Sequence, residues 1–255
     1  MGGLGNQLFQ IAATTSTAIK NGDTPIFSSG EHILENQGNP ASTYQDNILR
    51  NVSLVTGKIS YSSLYREPAF EYREIKYTKD RCLFGYFQSE RYFSENEKTI
   101  RELFSMDKIT SEYLAEKYNH LFNSSKKIVS LHVRRGDYLR LSEFHHVCTL
   151  DYYKKAMEKF SDVIYVVFSD DLMWCKLNLP IGEDYVFAEG NKDFQDLYLM
   201  SLCDHHIIAN SSFSWWGAWL NANKEKRVVA PRKWFGPKNA AKNTKDLYCE
   251  GWELL

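Results

Sequence analysis

The chain has 255 residues, a formal net charge of −1 at pH 7 and 43% hydrophobic residues, enough for a substantial core in one large domain or two small ones. So even a balance disfavours nucleic acid as the main partner, which ordinarily brings a strong basic excess. Five scattered cysteines (Cys82, Cys148, Cys175, Cys203, Cys249), odd in number and without C-x-x-C spacing, argue against a zinc site or a disulfide framework. No apolar run approaches the ~18 residues of a membrane span, and the start lacks a signal-peptide pattern, so the expected setting is soluble and cytoplasmic.

In chain order, Gly2 to Gly5 form a glycine-rich turn leading into a helix from Asn6 to about Ile19. Such a turn offers backbone N–H groups at a helix N-terminus, an arrangement suited to anions. The dinucleotide fingerprint fails, because Leu8 stands where G-x-G-x-x-G requires its third glycine. A turn of this kind ordinarily follows a buried strand; only Met1 precedes it, so a first strand is expected to be missing. Residues 28–47 read as loop, 83–93 are rich in aromatics, and 94–104 are helical. A composition shift at 122–127 (Asn-Ser-Ser-Lys-Lys) suggests a boundary between domains 1–125 and 126–255.

The second half alternates. Residues 128–133 read as a buried strand, 151–160 as a helix, 163–168 and 185–188 as strands. The stretch 193–202 has helical periodicity, with Phe194, Leu197, Tyr198 and Ser201 on one face. A strand follows at 206–209, a helix at 212–221 and a strand at 227–230, stopped by Pro231. This rhythm implies a parallel sheet wrapped on both faces, an α/β fold.

Three strand ends carry the chemistry. The first is His132-Val133-Arg134-Arg135-Gly136-Asp137-Tyr138. Paired guanidinium groups, planar and permanently charged, suit phosphate oxygens, and open parallel sheets place ligands at the carboxyl ends of their strands. The second is Phe168-Ser169-Asp170-Asp171. Contiguous carboxylates on a strand would face opposite ways, which disfavours a metal pair and favours one carboxylate hydrogen-bonding a nucleobase or ribose. The structural alternative is Asp171 as a helix N-cap. The third is Asn210 to Gly217, where Ser211 and Ser212 are N-cap residues and the helix that follows aims its positive pole at an anion. Phe213 could line a nucleotide pocket, while Trp215 and Trp216 read as core. The pairs His145-His146 and His205-His206 lack the i, i+4 spacing of helical metal ligands, and the second pair reads as structural. Between Lys224 and Lys245 stand eight basic residues and one acid, Glu225. They form either a solvated face or an attraction for an anionic substrate or a lipid headgroup surface.

With these residues assembled, the chain resembles the α-1,2-fucosyltransferases of glycosyltransferase family 11, especially the bacterial ones. The segments that match are GGLGNQLFQ at 2–10, GYFQSERYF at 85–93, HVRRGDY at 132–138, FSDD at 168–171 and NSSFSWWGAWL at 210–220. The resemblance implies a GT-B-like fold of two Rossmann-like domains with parallel sheets, acceptor-side in 1–125 and GDP-sugar-binding in 126–255. It also implies inverting transfer of L-fucose from GDP-β-L-fucose to the 2-hydroxyl of a galactoside, with no cofactor and no required metal. Position by position, it assigns guanosine to His132 and one of Asp170 and Asp171, and the pyrophosphate to Arg134 and the helix start at Ser211, Ser212, Phe213 and Ser214, with Arg135 in support. Asn6 would reach the β-phosphate or fucose, and Gln88 and Tyr92 would lie on the acceptor side. The acceptor would be an oligosaccharide or a lipid-linked glycan, with peripheral contact at the inner membrane through the basic 224–245 segment. Asp137 and Glu143 are both expected as candidates for the base. Competing readings are transfer of another nucleotide-linked sugar, a non-catalytic glycan-binding relative and a nicotinamide oxidoreductase. The arginine cluster argues against the second, since a lectin needs no pyrophosphate site, and the missing glycine against the third.

Overall fold

The computed structural model describes residues 2–30, 38–180 and 182–255, so part of the loop expected at 28–47 lies outside the described residues. The chain divides into two compact units, Met1–Lys108 with Lys242–Cys249, and Ile109–Ala241 with Glu250–Leu255. The division falls after Lys108 rather than at 125/126. The polar residues at 123–126 form a turn inside the second unit, entering its first strand. Their composition reports a surface turn, which is as polar as a linker.

In the first unit, helix α1 (Leu4–Lys20) buries Leu8, Phe9, Ile11, Ala12 and Ala13. It begins two residues before the expected start because extended Gly3 serves as its N-cap and Gly2 adopts a φ of 79°. Two parallel pairs follow: β1 (Phe27–Ser28) with β2 (Leu54–Val55), and β3 (Ser63–Arg66) with β4 (Arg81–Phe84). These strands are too short for their alternation to register in the sequence. The aromatic-rich stretch begins in β4 and then packs, with the Phe87 ring edge-on to Tyr92 at 5.3 Å and Tyr72 at 4.8 Å from Tyr92. Helix α2 (Glu97–Leu103) closes this part of the unit.

The second unit is entered through α3 (Lys108–Lys117) and α4 (Asn119–Phe122). Then come β5 (Lys127–Val133), α5 (Gly136–Arg140), α6 (Leu150–Met157), β6 (Val163–Ser169), α7 (Leu172–Asn178), β7 (Tyr185–Phe187), α8 (Asp193–Leu202), β8 (His205–Ile207), α9 (Ser212–Leu220), β9 (Val228–Ala230) and β10 (Glu253–Leu254). The strands form one six-stranded sheet in the order β10-β9-β8-β5-β6-β7, every pair parallel. The expected strand–helix alternation is therefore present, and the fold is α/β and GT-B-like. Val129, Leu131, Val133 and Val167 pack with Tyr153 and Ala156 of α6 in the core. Helices α8 and α9 approach so closely that a Cβ on Gly217 would lie 2.7 Å from the Met200 Cβ. Trp215 and Trp216 are fully buried, as expected of core residues.

A polar network sits inside this core. The Asn221 amide nitrogen lies 2.8 Å from His206 Nε2 and donates to the Cys203 carbonyl at 2.6 Å, while Ser130 Oγ lies 2.7 Å from His206 Nδ1. With Nε2 accepting, Nδ1 carries the proton and donates to the serine oxygen. His206 is thus structural, as its sequence context suggests, and burial holds its pKa down at about 3.

His132 is also pushed to about 3, by burial first and then by Arg134. Both histidines stay neutral in the folded chain and take up a proton near pH 6.5 once unfolded. Between pH 6.5 and 3 the unfolded state binds more protons, so stability falls as pH falls. The expected slope is at most about 1.4 kcal/mol per pH unit for each histidine. Urea titrations from pH 7 to 4 should show it, and His206→Gln should flatten it even if its stability at pH 7 is lower.

Candidate functional site

Strands β5 and β6 pair in register to their ends, His132 opposite Phe168 and Val133 opposite Ser169. The chain therefore leaves both strands at the same level, at the carboxyl edge of the sheet. Arg134 and Arg135 emerge from one strand, Asp170 and Asp171 from the other.

The two carboxylates do not face opposite ways. Both lie past the end of β6, where strand alternation no longer applies, and both meet arginine. Asp170 lies with Oδ2 3.0 Å from Arg134 Nη1 and accepts the Arg135 backbone N–H at Oδ1 (2.9 Å). Asp171 caps α7, accepting from the Trp174 N–H at 3.1 Å, and its other oxygen lies 3.2 Å from Arg135 Nε. Its expected capping role is thus real, and it binds an arginine as well. Asp137 completes the cluster with Oδ1 2.6 Å from Arg134 Nη2. Two guanidinium groups meet three carboxylates, so the arginine run is not the free positive patch that its sequence suggests.

Ring faces hold the arginines from below. The Arg135 guanidinium lies 4.1 Å from the Trp174 ring centre and that of Arg134 5.2 Å from Tyr138, contacts favourable by roughly 0.5–1 kcal/mol each. The other face of Tyr138 stacks on His145 at 4.3 Å, and its hydroxyl donates to the Asn210 carbonyl at 3.2 Å. Gly136 leaves room for Asp170: a Cβ there would sit 2.4 Å from Oδ2. Sequence reasoning passed over Gly136, Tyr138 and Trp174. The first two stand inside the arginine motif, whereas nothing in the local pattern marks Trp174.

Asn210 is a junction. Its amide nitrogen donates to the carbonyls of His146 (2.6 Å) and Trp234 (2.8 Å), and its side-chain oxygen accepts from the Cys148 thiol at 3.4 Å. It thereby joins the segment after α5, the end of β8 and the segment after β9. Next to it, Ser211 caps α9 by accepting the Phe213 N–H, which directs the positive end of a nine-residue helix to this edge. Ser214 is turned inward, its hydroxyl donating toward the carbonyls of Ala209 and Ser211. The Phe213 ring lies 5.7 Å from that of His132, whose Nδ1 is buried and has no hydrogen-bond partner among the described residues. A buried polar atom in that state is costly unless something binds it.

Glu143 is exposed on a segment tied to the one after β9. The Gly236 N–H donates to the Phe144 carbonyl (3.0 Å), the Lys238 N–H to the Glu143 carbonyl (2.8 Å), and the Lys238 ammonium lies 3.6 Å from the Glu143 carboxylate. The basic residues of 224–245 are dispersed. Strand β9 separates Lys224, Lys226 and Arg227 from Arg232, Lys233 and Lys238, and Lys242 and Lys245 belong to the first unit. Also in the first unit, Gln88 donates to the Asn6 side-chain oxygen at 2.7 Å. The buried Tyr92 hydroxyl accepts the Arg73 N–H at 3.2 Å, which ties it into the aromatic packing. Among the described residues no helix is long and apolar enough to cross a membrane.

The parallel α/β sheet thus carries arginines, aspartates and a helix N-terminus at its carboxyl edge, the place where open parallel sheets bind their ligands. The chain belongs to glycosyl transferase family 11, whose model matches residues 4–255. It is 37% identical over 180 residues to the O-antigen biosynthesis glycosyltransferase WbnK of Escherichia coli, covering 66% of this chain and 59% of that protein. It is 40% identical over 162 residues to an alpha-1,2-colitosyltransferase of Escherichia coli, covering 59% and 55%. The chain thus spans less than two thirds of the length of these relatives. Its fold is that of fucosyltransferase NodZ from Bradyrhizobium, with a TM-score of 0.56 at 15% identity over 85% of this chain and 89% of that one. NodZ has also been co-crystallised with GDP.

The geometry at Gly136 yields a direct expectation. Gly136→Ala forces Asp170 to move off the arginines, at about 1–3 kcal/mol of stability. The urea midpoint should fall, and a crystal structure should show Asp170 displaced. An unchanged midpoint with Asp170 in place would contradict the close packing described.

Proposed function

We propose that this chain is an inverting galactoside α-1,2-fucosyltransferase that takes L-fucose from GDP-β-L-fucose and adds it to the 2-hydroxyl of a terminal galactoside in an oligosaccharide or lipid-linked glycan. The observation that carries the reading is the pair of arginines held at the end of a buried parallel strand, beside the orphaned His132 Nδ1 and the start of α9. Family membership and the fold shared with an enzyme that co-crystallises with GDP support it.

In this reading His132, kept neutral by burial, hydrogen-bonds the nucleobase against Phe213, and Asp170 or Asp171 assists. Arg134 and the helix start at Ser211 and Ser212 hold the diphosphate, with Arg135 behind them. Fixed positive groups placed where charge develops on the departing GDP lower the barrier without the reorganisation that solvent would need. They do so without a metal ion. The base is an acceptor-side carboxylate, for which Asp137 and Glu143 are the two within the segment. Peripheral binding to anionic lipid through the lysines and arginines of 224–245 is a further part of the proposal, tested by sedimentation with phosphatidylserine vesicles.

A second reading has its own support. The 40% identity to an alpha-1,2-colitosyltransferase favours colitose in place of fucose as the sugar transferred. Release of GDP from each donor, with and without lactose, separates the two.

Acceptor-dependent GDP release should survive EDTA, and loss of activity on chelation would overturn the metal-free part. Arg134→Lys should lower kcat/KM about a hundredfold or more, because a point charge cannot replace a planar fork on phosphate. Wild-type turnover in that variant would refute the assignment.

A further inference from the structure

The three carboxylates around the arginines are not held equally. Asp170 accepts a backbone N–H as well as bonding Arg134, and Asp171 accepts the Trp174 N–H as well as bonding Arg135. Among the described residues the Asp137 carboxylate bonds only the Arg134 guanidinium, and its side chain is 41% exposed, more than that of Asp170 (25%) or Asp171 (31%). Its backbone is anchored, with the carbonyl accepting the Leu141 N–H at 3.0 Å, so the carboxylate can turn about its side-chain bonds while α5 stays in place.

A diphosphate entering this cluster meets two cations already matched by three anions. Coulomb repulsion between phosphate and carboxylate rises as water leaves the site, so one carboxylate has to give way. Asp170 and Asp171 would each abandon a backbone donor as well as an arginine. Asp137 would abandon only a part-buried ion pair, with no backbone donor lost.

On the donor reading given above, we infer that Asp137 is a releasable carboxylate: the incoming diphosphate takes Arg134 Nη2 from it, and the freed Asp137 turns to the acceptor hydroxyl as the base. The transfer then balances. The acceptor 2-hydroxyl oxygen bonds to the sugar C1 as the C1–O bond to the β-phosphate breaks. The bonding pair leaves on GDP, held by Arg134, and the hydroxyl proton goes to Asp137. Because the base is occupied until the donor arrives, the donor binds first and the acceptor second. Glu143 is then not the base, and its ion pair with Lys238 serves to hold its segment to the one after β9.

The test uses the full chain and GDP itself as probe. Asp137→Asn, which keeps the side chain's shape, should bind GDP several-fold more tightly by calorimetry, because the carboxylate that competes with the phosphate for Arg134 is gone. Its turnover should fall a hundredfold or more, as expected for loss of a general base. Lactose should bind to wild type only in the presence of GDP, and a structure with GDP should show Asp137 more than 4 Å from Arg134. Weaker GDP binding in Asp137→Asn would overturn the inference, since Asp137 would then be holding Arg134 for the phosphate. So would full turnover in that variant, or a GDP-bound structure with the pair intact. If wild type binds no GDP at all, the donor reading itself fails. If it binds GDP with Asp137 still on Arg134, only the release fails.

Discussion

The parallel, in-register pairing of β5 with β6 is the constraint on which the site depends. It brings the ends of two buried strands to one level, so residues 35 or 36 apart in the sequence, Arg135 with Asp170 and Asp171, become bonded neighbours. A slip of one residue would reverse every side chain of β5 between the two faces of the sheet and part the arginines from their aspartates. The apolar run of β6 and the α6 core residues oppose that slip, because Val129, Leu131 and Val133 would lose their packing. The hydrophobic core therefore fixes the register that positions the charges.

Two histidines on adjacent strands show how burial separates structure from site. Both are neutral for the same reason, exclusion from water. His206 has partners on each ring nitrogen and closes a network inside the sheet. His132 lies one residue from the end of its strand with Nδ1 unanswered, beside an aromatic ring at the start of a helix. An unsatisfied buried atom is destabilising by about 1–3 kcal/mol, and a ligand that supplies the missing partner removes that cost.

The charge arrangement has a similar character. Backbone donors fix Asp170 and Asp171, Trp174 and Tyr138 fix the arginine planes, and Asn210 fixes the segments on either side. Within this surround the Asp137 carboxylate is part-buried and is held by Arg134 without a backbone donor. A site of that kind keeps its geometry while leaving one contact free to exchange.

The repeated strand–helix rhythm from 128 to 230, the tryptophan core of α9 and the Ser211 and Asp171 caps were legible in the amino-acid pattern, because each depends on local periodicity or on a side chain reaching its own backbone. The glycine turn and the arginine motif were legible too, though as isolated signals. Other features were not. The short strands of the first unit have too few residues to alternate, and the unit boundary lies in a helix start rather than in the polar turn that resembles a linker. Trp174 carries no mark of its place beneath Arg135, and Asp170 and Asp171 could not be paired with the arginines from order alone, whereas Asp137 stands close enough in the chain for a pair with an arginine to be read. What the sequence by itself determined is which residues go inside and which bear charge, since solvent transfer and backbone geometry act residue by residue. Only the tertiary structure decided which charges meet, because an ion pair depends on distance in space, and that distance is set by the register of strands far apart in the chain.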